Sequence, residues 1–112
     1  MNLVNVLQQR FEPALAAFVP DAAKLPTYLA MIKPAQDAKF GDYQANFAMS
    51  LAKELGKKPR DIAQQIVDRL DAGDVLEPPE IAGPGFINLR FSASWLGRQI
   101  AAMEADERLG VS

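Results

Sequence analysis

Glu80-Ile81-Ala82-Gly83-Pro84-Gly85-Phe86-Ile87-Asn88-Leu89-Arg90-Phe91 is the stretch on which the fold turns. From Phe86 to Phe91 the residues alternate. Ile87, Leu89 and Phe91 face one way, and Phe86, Asn88 and Arg90 face the other, the two-residue period of a half-buried strand. Gly83-Pro84-Gly85 is a tight turn, so Glu80–Ala82 should return antiparallel beside the strand. Upstream, the run from Val75 to Ala82 is interrupted by Pro78-Pro79. Neither proline can donate to a sheet ladder, so this run must be an edge or a broken strand.

The rest of the chain is arranged around this hairpin. Ser92 or Ser94 can cap a last helix carrying Trp95 or Leu96, Gln99, Ile100 and Met103, with Gly110 as its end. Before the hairpin, Ile62, Ala63, Ile66, Val67 and Leu70 form the apolar stripe of a helix begun by Pro59 and closed by Asp71–Asp74. Phe47, Ala48, Leu51, Ala52 and Leu55 form another, introduced by Phe40-Gly41-Asp42 with Asp42 as its N-cap and stopped by Gly56. Leu3, Leu7, Phe11, Leu15 and Phe18 mark a first helix, which Pro13 should kink or divide after Glu12. Tyr28–Lys33, apolar and followed by Pro34, reads as a strand, and Pro34–Lys39 as a loop. The order helix, strand, helix, helix, strand, strand, helix predicts an α+β fold, a small antiparallel β-sheet with about four helices packed on it. The 112 residues make one domain, long enough to bury roughly two-thirds of the unfolded chain's surface.

Composition narrows the function. There are no cysteines and no histidines. Disulfides, thiolate zinc sites, Cys nucleophiles and every Ser-His or Cys-His arrangement are excluded. No Asp/Glu run has calcium-loop spacing, so no metal site is expected. Catalysis by paired carboxylates has no support in the spacing, so a binding domain without catalytic residues is expected. The net charge is -2, so nucleic-acid contact would have to come from a local patch. No run is long enough to span a membrane, and the first residues lack a secretory pattern, so a cytoplasmic protein without membrane contact is expected.

Phe40-Gly-Asp-Tyr-Gln-Ala-Asn46 places Tyr43, Gln44 and Asn46 in the first turn after the Asp42 cap. A ring and two amides suit an unstacked nucleobase: the ring stacks, and the amides read an edge. Taken alone, the same residues also describe an ordinary capped helix with Tyr43 partly buried. Lys57-Lys58-Pro59-Arg60 is a basic cluster at a helix start, either a phosphate clamp or a solvated loop balanced by Asp61. Lys39 and Lys53 lie near it in sequence, whereas much of the acid falls in Asp68–Glu80 and Glu104–Glu107. Gly83-Pro84-Gly85 matches no nucleotide-binding pattern, Asn88 and Arg90 read as a solvated sheet face, and Trp95 reads as core.

Together, Phe40-Gly-Asp-Tyr-Gln-Ala-Asn46, the Ala/Leu-rich helix after it, Pro59-Arg-Asp-Ile-Ala63 and Glu80-Ile-Ala-Gly-Pro-Gly-Phe-Ile-Asn-Leu89 resemble the N-terminal appended domain of bacterial arginyl-tRNA synthetase. The resemblance covers essentially the whole chain. It implies contact with the D-loop at the elbow of tRNA for arginine, with Tyr43, Gln44 and Asn46 as base-contacting candidates. Lys39, Lys57, Lys58 and Arg60 are then the phosphate-contacting candidates. It also implies a class I catalytic domain of the same chain beginning shortly after Arg108-Leu-Gly-Val111, which would use ATP with magnesium and arginine. The His-x-Gly-His and Lys-Met-Ser-Lys-Ser signatures of that core are absent here, so no cofactor is expected on this chain itself. The competing reading is a protein-docking or structural module using the sheet edge or the Trp95 helix, without RNA contact.

Overall fold

The computed structural model describes residues 2–111, with side chains described through Met103. Its elements are α1 (Leu3–Ala16), α2 (Leu25–Leu29), β1 (Ile32–Pro34), β2 (Tyr43–Ala45), α3 (Phe47–Leu55), α4 (Pro59–Arg69), β3 (Glu80–Ala82), β4 (Phe86–Leu89) and α5 (Ala93–Val111). The four strands form one antiparallel sheet in the order β1-β2-β4-β3. The α+β expectation holds, with five helices where about four were read.

The hairpin is as expected. Ile81 pairs with Ile87, and Ala82 with Phe86. The broken-strand reading also holds, because the run before it rejoins β4's path beyond the prolines. Glu77 N donates to Arg90 O, Ser92 N donates to Val75 O, and Leu76 bridges Phe91. β3 is a three-residue edge, short enough to offer little to a foreign strand.

Ile32, Ala45, Ile87 and Ile81 lie in one row across the sheet and face the helices. Leu7, Phe11 and Leu15 of α1, Phe47, Ala48 and Leu51 of α3, and Ile62, Ala63 and Ile66 of α4 close over them, all fully buried. Phe11 and Phe47 meet edge to face at 5.6 Å between centroids, the geometry that aligns a positive ring edge with a negative face. Gly56 ends α3 in the left-handed conformation, and Pro59 opens α4, both as read. Ser92 is the cap of α5, its Oγ accepting from Trp95 N at 3.0 Å. Trp95 is buried and stacks on Phe91 at 5.2 Å.

Four local expectations are corrected. First, α1 runs unbroken through Pro13. Pro13 and Gln9 are both exposed, so the carbonyl that loses its helical partner can be hydrated. Second, Tyr28 and Leu29 belong to α2, and the strand begins only at Ile32. Pro26 suits the start of a helix, and an Asp21-capped turn precedes it. Third, α5 is described to Val111, one residue beyond the Gly110 read as its end. Fourth, Asp42 does not cap a helix, because Tyr43–Ala45 is a strand. Beyond β1, part of the loop read at Pro34–Lys39 is a 3₁₀ turn, Ala38–Phe40.

Tyr28 shows why α2 holds. Its ring is buried, and its hydroxyl donates to the Glu54 carboxylate of α3, which also receives Lys24 Nζ at 3.2 Å. The hydrogen bond to Glu54, then burial, then the Glu54 charge push the phenol pKa up from 10.0 to about 12. The same hydrogen bond, followed by that of Lys24, lowers Glu54 from its usual range. The folded state therefore holds the Tyr28 proton more tightly than the unfolded chain does. This contribution to stability is complete below pH 10 and is lost as pH rises from 10 toward about 12. Phenolate absorbance should show one of the two tyrosines ionising near pH 12. Two overlapping titrations near pH 10 in the folded protein would contradict the contact.

Candidate functional site

Phe40–Asn46 is the segment where sequence and structure diverge most. Gly41 enters with φ +101°, and a Cβ placed there would lie 2.5 Å from Leu89 O. Only glycine permits so close an approach of the two backbones. Asp42 follows directly. Its N–H donates to Leu89 O at 2.8 Å, and its carboxylate accepts from Phe91 N at 2.9 Å. Gly41-Asp42 thus fastens the incoming chain to the end of β4 and starts β2 alongside it. We expect Asp42→Ala to cost roughly 1–3 kcal/mol by orphaning the Phe91 N–H, and Asp42→Asn to cost less because an acceptor oxygen remains. Urea unfolding of both variants measures this, and equal midpoints for Asp42→Ala and wild type would refute it.

Because Tyr43–Ala45 is extended, its side chains alternate between faces. Tyr43 lies on the helix side, its ring edge-on to Phe91 at 5.9 Å. Gln44 lies on the other side in a row with Lys33, Asn88 and Glu80. Gln44 Nε2 donates to Asn88 Oδ1 at 2.8 Å. The structure therefore separates Tyr43 from the two amides it was grouped with. Gln44 and Asn46 remain together, lining a shallow hollow of about 310 Å³ with Met31, Lys33, Pro34, Gln36 and Phe86.

Asn46 is the N-cap of α3, yet its carboxamide makes no capping hydrogen bond. A capping asparagine ordinarily satisfies a first-turn N–H. Here the side chain is exposed at the rim of the hollow. The neighbouring Phe86 is half-buried and places an aromatic ring at this hollow, where Tyr43 does not reach the lining. A second hollow, of about 270 Å³, lies further along the same face, between Asn88, Arg90 and the Glu77–Glu80 segment.

The basic candidates are divided between the two ends of β4. Arg60 Nη1 donates to Gly83 O at 2.6 Å, and Pro59 sits against Gly85. This sets Lys57, Lys58 and Arg60 at the end of the sheet where Phe86 begins β4 and Asn46 leaves β2. Lys57 and Lys58 are exposed and form no ion pair among the described residues. Lys39 lies at the other end, its Nζ 5.1 Å from the centre of the Phe40 ring. Arg90 clamps that end by donating to the carbonyls of Ala38 and Lys39 at 3.0 and 3.1 Å.

The candidates that the sequence did not single out are Lys33 and Phe86, and Asn88 and Arg90 were read as a solvated face. Arg90 is exposed, but Asn88 is buried, 7% accessible, because Gln44 of β2 lies over it and donates to its carboxamide. The alternation of Phe86, Asn88 and Arg90 was visible. What was missing was β2, which brings Gln44 and Asn46 onto that same face. Among the described residues no group of three or more acidic, His or Cys side chains could hold a metal ion. Among those residues no helix is long and apolar enough to cross a membrane.

A sequence-family model described as "Arginyl tRNA synthetase N terminal domain" matches residues 5–91. The arginine–tRNA ligase of Rhodopirellula baltica is 52% identical over 112 residues, covering 100% of this chain and 16% of that protein. That of Nostoc punctiforme is 52% identical over 106 residues, 94% of this chain and 18% of its own length. This chain spans less than a fifth of the length of these curated relatives, 16% and 18%. The solved arginyl-tRNA synthetase of Thermus thermophilus superposes with a TM-score of 0.65 at 31% identity, covering 88% of this chain and 15% of that one. The Plasmodium falciparum enzyme superposes with a TM-score of 0.67 at 21% identity over 83% of this chain and 16% of its own, a likeness of fold.

Proposed function

This chain belongs to the arginyl-tRNA synthetase N-terminal domain family, and from that premise we propose that it orients tRNA for arginine within an arginine–tRNA ligase. In this reading the open face of the sheet contacts the D-loop at the tRNA elbow. Gln44 and Asn46 meet a base, Phe86 offers a stacking surface, and Lys57, Lys58 and Arg60 meet phosphates at the adjoining end. Lys39 meets a phosphate at the far end, and Tyr43 acts from behind the face by supporting it on Phe91. The observation that carries the reading is the uncapped, exposed carboxamide of Asn46 beside Gln44 and Phe86 at one hollow. An amide pair with an aromatic neighbour is what an unstacked base requires.

The mechanism is one of remote binding energy. Joining arginine to tRNA with ATP and magnesium would belong to the catalytic domain of the same ligase. Contacts far from the reacting atoms raise the rate only when they help set the tRNA 3′ end in place. Such a domain would act in the cytoplasm, where tRNA is charged. Because the chain is acidic overall, its own affinity for tRNA should be weak and salt-sensitive.

The test is an NMR titration of the labelled domain at low salt, first with tRNA for arginine and then with an unrelated tRNA. Shifts are expected at Lys33, Gln44, Asn46 and Phe86 and at Lys57–Arg60, larger for the arginine tRNA. Shifts confined to other surfaces, or equal for both tRNAs, would sink the reading in favour of a docking or structural module.

A further inference from the structure

Ile100 and Met103 are the exposed large apolar side chains among the described residues, 56% and 46% accessible. They are not scattered. Both lie on α5, one turn apart, and they continue the stripe that begins with Leu96, which packs partly against the core. The first turn of α5 is anchored by the Ser92 cap and by Trp95 on Phe91. Beyond it the stripe has no partner within the described residues.

We propose that the Leu96–Ile100–Met103 face of α5 is the seat on which the catalytic portion of the same ligase docks. This rests on the reading of the chain as a ligase's first domain. Two observations select that occupant. The family is an N-terminal domain, and this chain covers only 16% and 18% of two relatives that match nearly all of it. The bulk of such a ligase therefore lies outside the residues that this chain matches. The stripe is also too small for a free partner. A stable association between separate molecules needs roughly 800 Å² from each side, far more than two half-exposed side chains offer. A covalently tethered partner is held at an effective concentration of order millimolar, and a small apolar seat is then enough to fix its orientation.

Met103 carries its own probe, because thioether oxidation follows exposure. In the full-length ligase, dilute peroxide should convert Met103 to the sulfoxide on the order of tenfold more slowly than it does in the 112-residue chain. Ile100→Glu in the full-length ligase should abolish that protection while leaving the melting of the 112-residue chain unchanged. Oxidation of Met103 at the same rate in both proteins would overturn the proposal. So would sedimentation of the 112-residue chain as a dimer with Met103 protected, which would assign the face to a second copy. The tRNA reading is decided separately, by the titration above. Protection of Met103 without sheet-face shifts would uphold this inference and discard that contact site.

Discussion

Gly41→Ala is expected to destabilise the domain by about 3–5 kcal/mol, a large part of the 5–15 kcal/mol typical of a whole domain. Two costs combine. At φ +101° any L-residue is strained, and the new methyl would sit 2.5 Å from Leu89 O and 3.0 Å from Leu89 C. Those atoms belong to the backbone of β4, so no side chain can swing aside. Relief would require moving the Asp42–Leu89 and Asp42–Phe91 hydrogen bonds that start β2. Gly56→Ala is the control. It also has positive φ, +68°, but nothing lies within 4 Å of the added methyl, so the expected cost is only about 1–2 kcal/mol. Denaturant unfolding of the two variants measures the difference. Equal losses would mean that the contact with β4 relaxes freely and contributes nothing specific.

On the proposed tRNA contact, Gln44→Ala and Asn46→Ala, placed in a full-length ligase, are each expected to lower kcat/KM for tRNA by roughly tenfold to hundredfold. That is the consequence of leaving a base edge without its partner. KM for ATP and for arginine should not change. Asn46→Ala is the cleaner of the two, because the side chain makes no cap bond and its loss should leave melting unaltered. Gln44→Ala also removes the 2.8 Å hydrogen bond to Asn88, so a modest loss of stability should accompany it. Tyr43 separates support from contact. Tyr43→Phe keeps the edge-to-face packing on Phe91 and should charge tRNA normally, whereas Tyr43→Ala should weaken both stability and charging. Wild-type charging by both amide variants at limiting tRNA would remove Gln44 and Asn46 from the interface.

The β3–β4 hairpin, the Pro59 start of α4, the Ser92 cap of α5 and the apolar stripes of α1, α3 and α4 were legible in the sequence because each depends on neighbours within a few positions. Alternation from Phe86 to Phe91, Gly83-Pro84-Gly85 as a turn, Gly56 in the left-handed conformation and Ser92 as a cap are local chemistry. The wording of Phe40–Asn46 and Glu80–Leu89 also sufficed to suggest the family.

Only the tertiary structure decided what Phe40–Asn46 does. An aspartate followed by Tyr-Gln-Ala can open a helix equally well if its carboxylate accepts first-turn N–H groups. Here the carboxylate accepts from Phe91, 49 positions away in sequence, and no local pattern reports a partner that distant. That one long-range capture makes residues 43–45 a strand and turns Tyr43 to the core side. It sets Gln44 and Asn46 beside Phe86 on the open face and leaves Lys39 and Lys57–Arg60 at opposite ends of the sheet. The residue types at the site were written in the chain. Which of them share a surface was decided by the approach of Gly41 to Leu89, a contact that exists only once the sheet has formed.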